Sequence, residues 1–273
     1  MPCPLLSVII VAWNTCGLLR GCLQGLWSGC GLPGEVVVVD NASVDGSAGM
    51  VQQEFPEARL IANAQNVGYA HANNQGIVAS RGRYIVLLNG DTLPQEDTFA
   101  ELVAFMESHP QAAIVGPRLL RPDGTAQPYA FGSDPTPGYL LARGLSRLLF
   151  RRYLHDWASN AIQEVHWVSG ACLMARREAV KQVGMLDERF FMYFEDNDWC
   201  LRMRRAGWQV YYNPRAEIVH LGGQSLARNP QAHSVYYDSL SHFYTKHYGA
   251  LSQMGLKTCL LPYRWLARYR GMP

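Results

Sequence analysis

Two apolar runs in the first third of the chain end abruptly in polar residues. Residues 36–39, all valine, lead into Asp40-Asn41-Ala42-Ser43-Val44-Asp45-Gly46-Ser47, and residues 84–88 lead into Asn89-Gly90-Asp91-Thr92. Runs without polar alternation fit strands covered on both faces, the habit of parallel sheets. In open α/β sheets, ligands bind beyond the carboxyl ends of such strands. Two buried strands that each deliver a carboxylate to that edge predict a site for something polar and phosphorylated.

The flanking pattern alternates in the same way. Residues 7–13 read as a strand, and Leu18, Leu19, Cys22, Leu23 and Leu26 keep helical spacing. After the strand at 35–39, Ser43 is placed to cap a helix carrying Met50, Val51 and Phe55. A short strand at 59–62, an alanine-rich helix over 69–80 and the strand at 84–88 follow. Phe99, Leu102, Val103 and Met106 then form one helical stripe before a strand at 113–115. This alternation predicts βαβ units and a mostly parallel sheet. From 118 to 164 the periodicity weakens, and Pro117, Pro122, Pro128, Pro135 and Pro137 mark loops. Order returns with a strand over 165–175, a short helix through Val183, an acidic cluster at 195–198 and strands near Val210 and Ile218.

With 273 residues, 48% hydrophobic and 17% charged, the chain is globular and long enough for one large core. Its seven cysteines (3, 16, 22, 30, 172, 200 and 259) include no Cys-x-x-Cys pair. Neither a zinc site nor a disulfide framework is indicated, and reduced thiols in a cytoplasmic protein are expected. Residues 2–13 lack a positive n-region and break off at Asn14-Thr15, so they read as a first strand rather than a signal peptide. No stretch approaches the ~20 apolar residues that span a bilayer.

Charge changes the picture more than composition does. Of a net +2, residues 239–273 carry +5 and residues 139–155 carry +4, with no acid in either, so the remainder is −7. The split predicts contact with an anionic surface and not general nucleic-acid binding. On a helical projection of residues 139–154, Leu141, Leu145, Leu148 and Leu149 fall on one side and Arg143, Arg147 and Arg151 on the other, with Arg152 misplaced among the leucines. The tail mixes Leu260, Leu261, Tyr263, Trp265, Leu266 and Tyr269 with its basic residues, a mixture suited to headgroup depth. Two readings stand side by side: peripheral binding to an anionic membrane, or a core-packing helix with a solvated basic face.

Candidate chemistry sits at the strand ends. Asp91, beside Gly90, suits a divalent cation bridging two phosphates, although Asn-Gly-Asp is also an ordinary turn. Asp40 has a similar double reading, since Asp-Asn-Ala-Ser makes a good helix N-terminus. His220 closes an apolar strand ahead of Gly222-Gly223, either as a structural residue or as a ligand for metal or phosphate. Glu195, Asp196 and Asp198 crowd together, and on a helix Asp198 has Arg202 one turn on. Asp196 has no such local partner. The aromatic surround of Phe190, Phe191, Tyr193 and Phe194 would raise its pKa by desolvation, which a general base near neutrality uses.

Together these segments resemble family 2 inverting glycosyltransferases of the GT-A fold, most of all their rhamnosyltransferase-type branch. The resemblance spans roughly residues 5–225, through 7–14, 39–46, 66–74, 88–91, 169–172, 193–202 and His220. It implies an α/β fold with a Rossmann-like, mostly parallel central sheet flanked by helices. Residues 1–225 would be the glycosyltransferase domain, with a donor half to about 117 and an acceptor half from 118, and 226–273 a helical, basic extension.

By that resemblance Ala12, Trp13, Asn14, Asp40, Asn66, Gly68, Asn73, Asn89 and Gly90 would bind the donor nucleotide, Asp40 at its base. Asp91, the acid of a shortened Asp-x-Asp motif, and His220 would hold Mg2+ or Mn2+ against the diphosphate. Asp196 would be the catalytic base, while Gly170, Ala171, Glu195, Asp198 and Trp199 would meet the acceptor. Asn89 departs from the pattern, standing where many relatives carry the first Asp. The implied reaction moves a sugar, rhamnose from dTDP-rhamnose as the best match, to a hydroxyl of a saccharide or polyprenyl-diphosphate-linked acceptor. The setting would be cell-surface polysaccharide synthesis, in the cytoplasm or on the inner face of the cell membrane. A nucleotidyltransferase making sugar nucleotides would need a Gly-rich, basic phosphate loop that residues 11–15 do not offer. A non-catalytic nucleotide-sugar-binding module would have no use for the acids at 195–198.

Overall fold

The continuous apolar runs occupy the middle of a nine-stranded sheet, because both faces of that sheet are covered. The computed structural model describes residues 4–29, 34–150, 152–222 and 232–270. From the N-terminus, β1 (Leu6–Ala12), α1 (Cys16–Gly29), β2 (Glu35–Asp40), α2 (Ser47–Glu54), β3 (Arg59–Ala62), α3 (Tyr69–Ala79) and β4 (Tyr84–Asn89) form successive βαβ units. β5 (Thr92–Pro94), α4 (Thr98–Ser108), β6 (Ala112–Leu120), β7 (Phe131–Gly132) and α5 (Pro137–Phe150) come next. They are followed by β8 (Gln163–Glu164), β9 (Trp167–Val168), β10 (Cys172–Arg176), α6 (Arg177–Val183), α7 (Glu195–Arg205) and β11 (Gln209–His220). The last helix, α8 (Ala232–Arg270), is bent at Gly249, where φ is +82°.

The strand order is β3-β2-β1-β4-β10-β6-β11-β5, with β8 also on β11, while β7 and β9 pair apart from the sheet. Within the sheet β10, β5 and β8 run antiparallel to their neighbours and the remaining pairs are parallel, while β7 and β9 are antiparallel to each other. The valines of β2 show why no polar residue interrupts them. Val37 and Val39 bury against Ala72 of α3, and Val38 belongs to the main core with Met50 and Val51 of α2. Strand order reverses between β1 and β4, the switch point at which open sheets leave a crevice. Register sets that crevice's floor: Ala12 is level with Asp40, and Val11 with Asn89.

Several expectations change once tertiary contacts exist. Ser43 does not cap α2, whose N-cap is Gly46 at φ +89°; the Ser43 hydroxyl accepts the Asn14 N–H instead. The strand expected over 165–175 breaks at residues 169–171 into β9 and β10, and the two strands expected near Val210 and Ile218 are one, with a register shift between Asn213 and Glu217. β5, β7 and β8 are two or three residues long and exist through their pairing, so no periodicity announces them. Pro137 opens α5 rather than preceding it, as suits a first helical residue with no N–H to satisfy.

The apolar face of α5 is not packed into the core: Leu141, Leu145 and Leu149 are 66%, 46% and 64% exposed. Arg151, the side chains of Arg147 and Leu148, and the side chains of 259–270 lie outside the described residues, so the tail's aromatic-basic mixture does too. Among the described residues, no helix is long and apolar enough to cross a membrane. The first part of α8 packs inward, with Leu240, Phe243 and Tyr244 meeting Phe190, Phe194 and Leu201.

Gly68 shows how tightly the loop before α3 is built. Its φ of +88° and ψ of 165° belong to a region open essentially to glycine alone, and an added Cβ would meet the Phe191 carbonyl oxygen at 2.8 Å. Gly68→Ala should therefore destabilise the fold by about 1–3 kcal/mol or more, the range for a residue forced into such a conformation. A guanidinium titration checks this, and an unchanged midpoint would contradict it.

Candidate active site

The crevice at the carboxyl edge opens into a cleft of about 1850 Å³, whose floor includes Trp13, Asn66, Asn89 and Gly90. Asp40, 3% exposed, ends β2 there. Its Oδ2 accepts the Ser43 N–H at 3.0 Å, and its buried Oδ1 has no partner. A buried carboxylate oxygen left unpaired is costly unless a ligand donor completes it. Asn41, which no sequence signal singles out from its neighbours, organises the next loop. Its amide donates to Asn66 Oδ1 at 2.8 Å, and its oxygen accepts from Asn63 and from the Val67 N–H. Asn14 at φ 54° and Ala42 at φ 64° flank this turn, and Asn14 Oδ1 accepts the Val44 N–H. Ala12, Asn14, Gly68 and Asn73 are not among the residues that line the cleft and belong to the strand ends and loops behind it; Asn73 is fully buried and donates to the Tyr69 carbonyl.

Asp91 and His220 are 129 positions apart in sequence and meet because β5 pairs antiparallel with β11, placing His220 level with Thr92. His220 Nε2 lies 3.2 Å from Asp91 Oδ1, and His220 Nδ1 lies 3.0 Å from Gln127 Oε1. The Gln127 contact orients the ring so that Nε2 faces a carboxylate oxygen, two atoms that a divalent cation would take together. One carboxylate and one imidazole suit Mn2+ or Mg2+ while leaving coordination positions for diphosphate oxygens. Among the described residues, no group of three or more His, Cys, Asp or Glu side chains is placed to hold a metal by itself.

The opposite wall is the start of α7. Tyr193 and Phe194 precede it at φ 71° and 67°, a conformation bulky residues adopt only when their surroundings impose it. Phe194 is held by the rings of Tyr236 and Phe243 at 5.1 and 5.8 Å. The turn delivers Asp196 into the cleft, where Oδ2 accepts the Gly170 N–H at 2.9 Å and Oδ1 the Asn197 N–H at 2.7 Å. The Gly170 carbonyl accepts the Tyr69 hydroxyl at 2.8 Å, and the Ala171 carbonyl accepts the Asn89 N–H at 2.9 Å. Asp196 is therefore tied through Gly170 and Ala171 to the end of β4. Tyr69 and Gln127 were not foreseen as site residues. Tyr69 stands inside the 66–74 segment, whereas Gln127 lies in the proline-punctuated stretch and has no local signal.

Burial raises the carboxyl of Asp196, and the N–H groups of Gly170 and Asn197 oppose that rise. Burial and then the Asp196 charge push Glu195 well above the ordinary value, and its Oε2 has no partner. Glu195 is thus the member of the pair that keeps a proton, leaving Asp196 the charge. Asp198 behaves differently: burial would raise it, but His247, Arg202 and Lys246 hold it low, at 2.7, 2.7 and 2.6 Å. Asp198 and Trp199 are fully buried, and the Trp199 indole donates to the Gly184 carbonyl at 2.8 Å. The structure does not bring these two to the cleft that Gly170, Ala171, Glu195 and Asp196 line.

The chain matches the family described as glycosyltransferase like family 2 over residues 3–233. It is 31% identical over 249 residues to the N-acetylglucosaminyl-diphospho-decaprenol L-rhamnosyltransferase of Mycobacterium tuberculosis, covering 84% of this chain and 80% of that protein. To the low-salt glycan biosynthesis hexosyltransferase Agl10 of Haloferax volcanii it is 27% identical over 243 residues, covering 87% and 74%. The solved mannosyltransferase PcManGT from Pyrobaculum calidifontis, in complex with GDP-Man and Mn2+, superposes with a TM-score of 0.60 at 21% identity, over 89% of this chain and 63% of that one. GalNAc-T7 with UDP, GalNAc and Mn2+ gives 0.59 at 15%, over 80% and 44%. The chain spans less than two thirds of either solved structure, and the likeness is one of fold: the expected GT-A architecture is borne out.

The proton on Glu195 has a thermodynamic signature. A carboxyl raised on folding binds a proton that the unfolded chain loses near pH 4.5, so its contribution to stability declines as pH rises above that value. Glu195→Gln removes the decline. Its stability relative to the unaltered protein should be least favourable near pH 4 and improve toward pH 7, measured by denaturant titration at fixed ionic strength. A difference independent of pH would place the proton elsewhere.

Proposed function

The chain belongs to glycosyltransferase family 2, and from that premise we propose that it transfers a sugar from a nucleoside-diphosphate donor to a saccharide hydroxyl, inverting the anomeric configuration. The observation that carries the reading is the placement of the Asp91–His220 pair and Asp196 around one cleft, joined through the Asn89–Ala171 hydrogen bond. The donor's nucleoside would lie along the floor made by Trp13 and Asn66, with the unpartnered Oδ1 of Asp40 accepting from its base.

In the proposed step, the acceptor hydroxyl gives its proton to Asp196 as its oxygen bonds to the anomeric carbon. The bond from that carbon to the diphosphate oxygen breaks on the opposite face, and a single displacement through an oxocarbenium-like state inverts the centre. Asp196 suits this role because burial strengthens it as a base while two backbone N–H groups fix its direction. A divalent cation held by Asp91 and His220 would neutralise charge building on the leaving diphosphate. The raised Tyr69 hydroxyl, pushed up by burial, stays a donor and keeps Gly170 under Asp196.

The relative from M. tuberculosis supports rhamnose as the sugar and a polyprenyl-diphosphate-linked saccharide as the acceptor. Donor hydrolysis across dTDP-, UDP- and GDP-sugars tests the reading, with dTDP-rhamnose expected to be consumed fastest. No hydrolysis of any of them would refute it. Asp196→Asn keeps the size and removes the basicity, so kcat should fall by ~10²–10⁴ with donor affinity little changed. Near-normal turnover would move the role to Glu195.

The cation end has its own test. EDTA should abolish transfer and Mg2+ or Mn2+ should restore it, while Asp91→Ala responds to neither. Full turnover in EDTA would leave positively charged side chains as the stabilisers of the leaving group.

A further inference from the structure

We propose that Arg143 and Arg152 form a subsite for the diphosphate of a lipid-linked acceptor, whose hydrocarbon chain leaves over the exposed leucine face of α5. The proposal rests on the glycosyltransferase reading above and adds the residues that would select the acceptor. Both arginines line the cleft, at the part built from α5, the segment after it and α8. Arg20, Arg118, Arg202 and Arg204 all have carboxylate partners. Among the described residues, Arg143 and Arg152 form no such pair.

Arg143, partly buried, lines the cleft together with Tyr236, whose ring lies 5.1 Å from Phe194 and 5.7 Å from Tyr193, the two strained residues that launch Asp196. The backbone of Arg152 is tied to α5, its carbonyl accepting the Ser146 hydroxyl at 3.2 Å, and its exposed side chain stands at the rim of the cleft. Beside it, Tyr153 and Tyr129 each lie 5.0 Å from Trp157, an aromatic wall of the kind that holds a sugar ring.

A half-buried guanidinium among aromatic rings attracts an anion strongly, and its planar fork matches phosphate oxygens two at a time. With the donor's diphosphate held at Asp91 and His220 under the reading above, a second diphosphate would come from the acceptor. Leu141, Leu145 and Leu149, at spacings of four along α5, then supply an apolar track that no part of the described structure covers. An isoprenoid diphosphate joins both features in one molecule.

Titration with farnesyl diphosphate and with farnesol, followed by intrinsic fluorescence, tests the proposal. EDTA keeps a cation at Asp91 and His220 from capturing the diphosphate. Farnesyl diphosphate should bind roughly tenfold or more tightly than farnesol. The double variant Arg143→Gln/Arg152→Gln should erase that preference and leave farnesol affinity as it was. Arg143→Lys in the Arg152→Gln background should recover part of it, since charge is kept and the fork is lost.

Equal affinity for the two ligands in the unaltered protein would overturn the proposal, as would a parallel loss of farnesol binding. A matching fall in dTDP affinity would assign the arginines to the donor. Loss of sedimentation with anionic liposomes, with the farnesyl diphosphate preference intact, would assign them to the membrane surface. Donor hydrolysis by the unaltered protein, run alongside, tests the glycosyltransferase reading separately from all of these outcomes.

Discussion

Everything at the site depends on where β1 stands. Pairing in parallel with β2 on one side and β4 on the other, it brings Asp40 and Asn89 within one register step of each other from chain positions 49 apart. Each of the three strands is buried on both faces, so a slip of one register step would drive every side chain toward the wrong layer. The floor of the cleft is therefore held by the densest part of the core. Polar residues cluster beyond the strand ends because only there does backbone leave the hydrogen-bonded ladder with ligand-sized space above it.

The far wall is held by charge and by aromatic packing instead. Tyr193 and Phe194 adopt left-handed backbone that neither favours alone, and Phe243 and Tyr236 of α8 pack against Phe194. Lys246 bridges Asp187 and Asp198 at 2.7 and 2.6 Å, and His247 reaches Asp198 as well. Breaking one partner of such a buried group strands the others, which is far costlier than the pair's net contribution. The start of α8 is in this sense part of the acidic turn, although about 40 residues separate them in the chain.

Two neighbouring carboxyls divide the work through their surroundings. Asp196 receives two backbone N–H groups, while Glu195, one residue away and deeper, receives no donor at its Oε2. Burial raises both, and donors decide which bears the charge. The same logic separates Asp198, which His247, Arg202 and Lys246 hold low and away from the cleft. Three acids within four residues thus meet three different surroundings.

The chain by itself determined the βαβ alternation, the parallel sheet, the strand-end positions of Asp40 and Asp91, and the prominence of Asp196. These follow from periodicity and from the isolation of a carboxylate without a local partner, both properties of neighbours in sequence. Only the tertiary structure decided that His220 meets Asp91, because that depends on β5, a three-residue strand with no periodic signature. Only it withdrew Asp198 and Trp199 from the cleft and Ser43 from its cap, since Lys246, His247, Gly184 and Asn14 compete for them from distant segments. Gln127, Tyr69 and Arg143 gained their places in the same way. A side chain's direction and partners are set by what packs around it, and for these residues the packing comes from strands and helices tens of positions away.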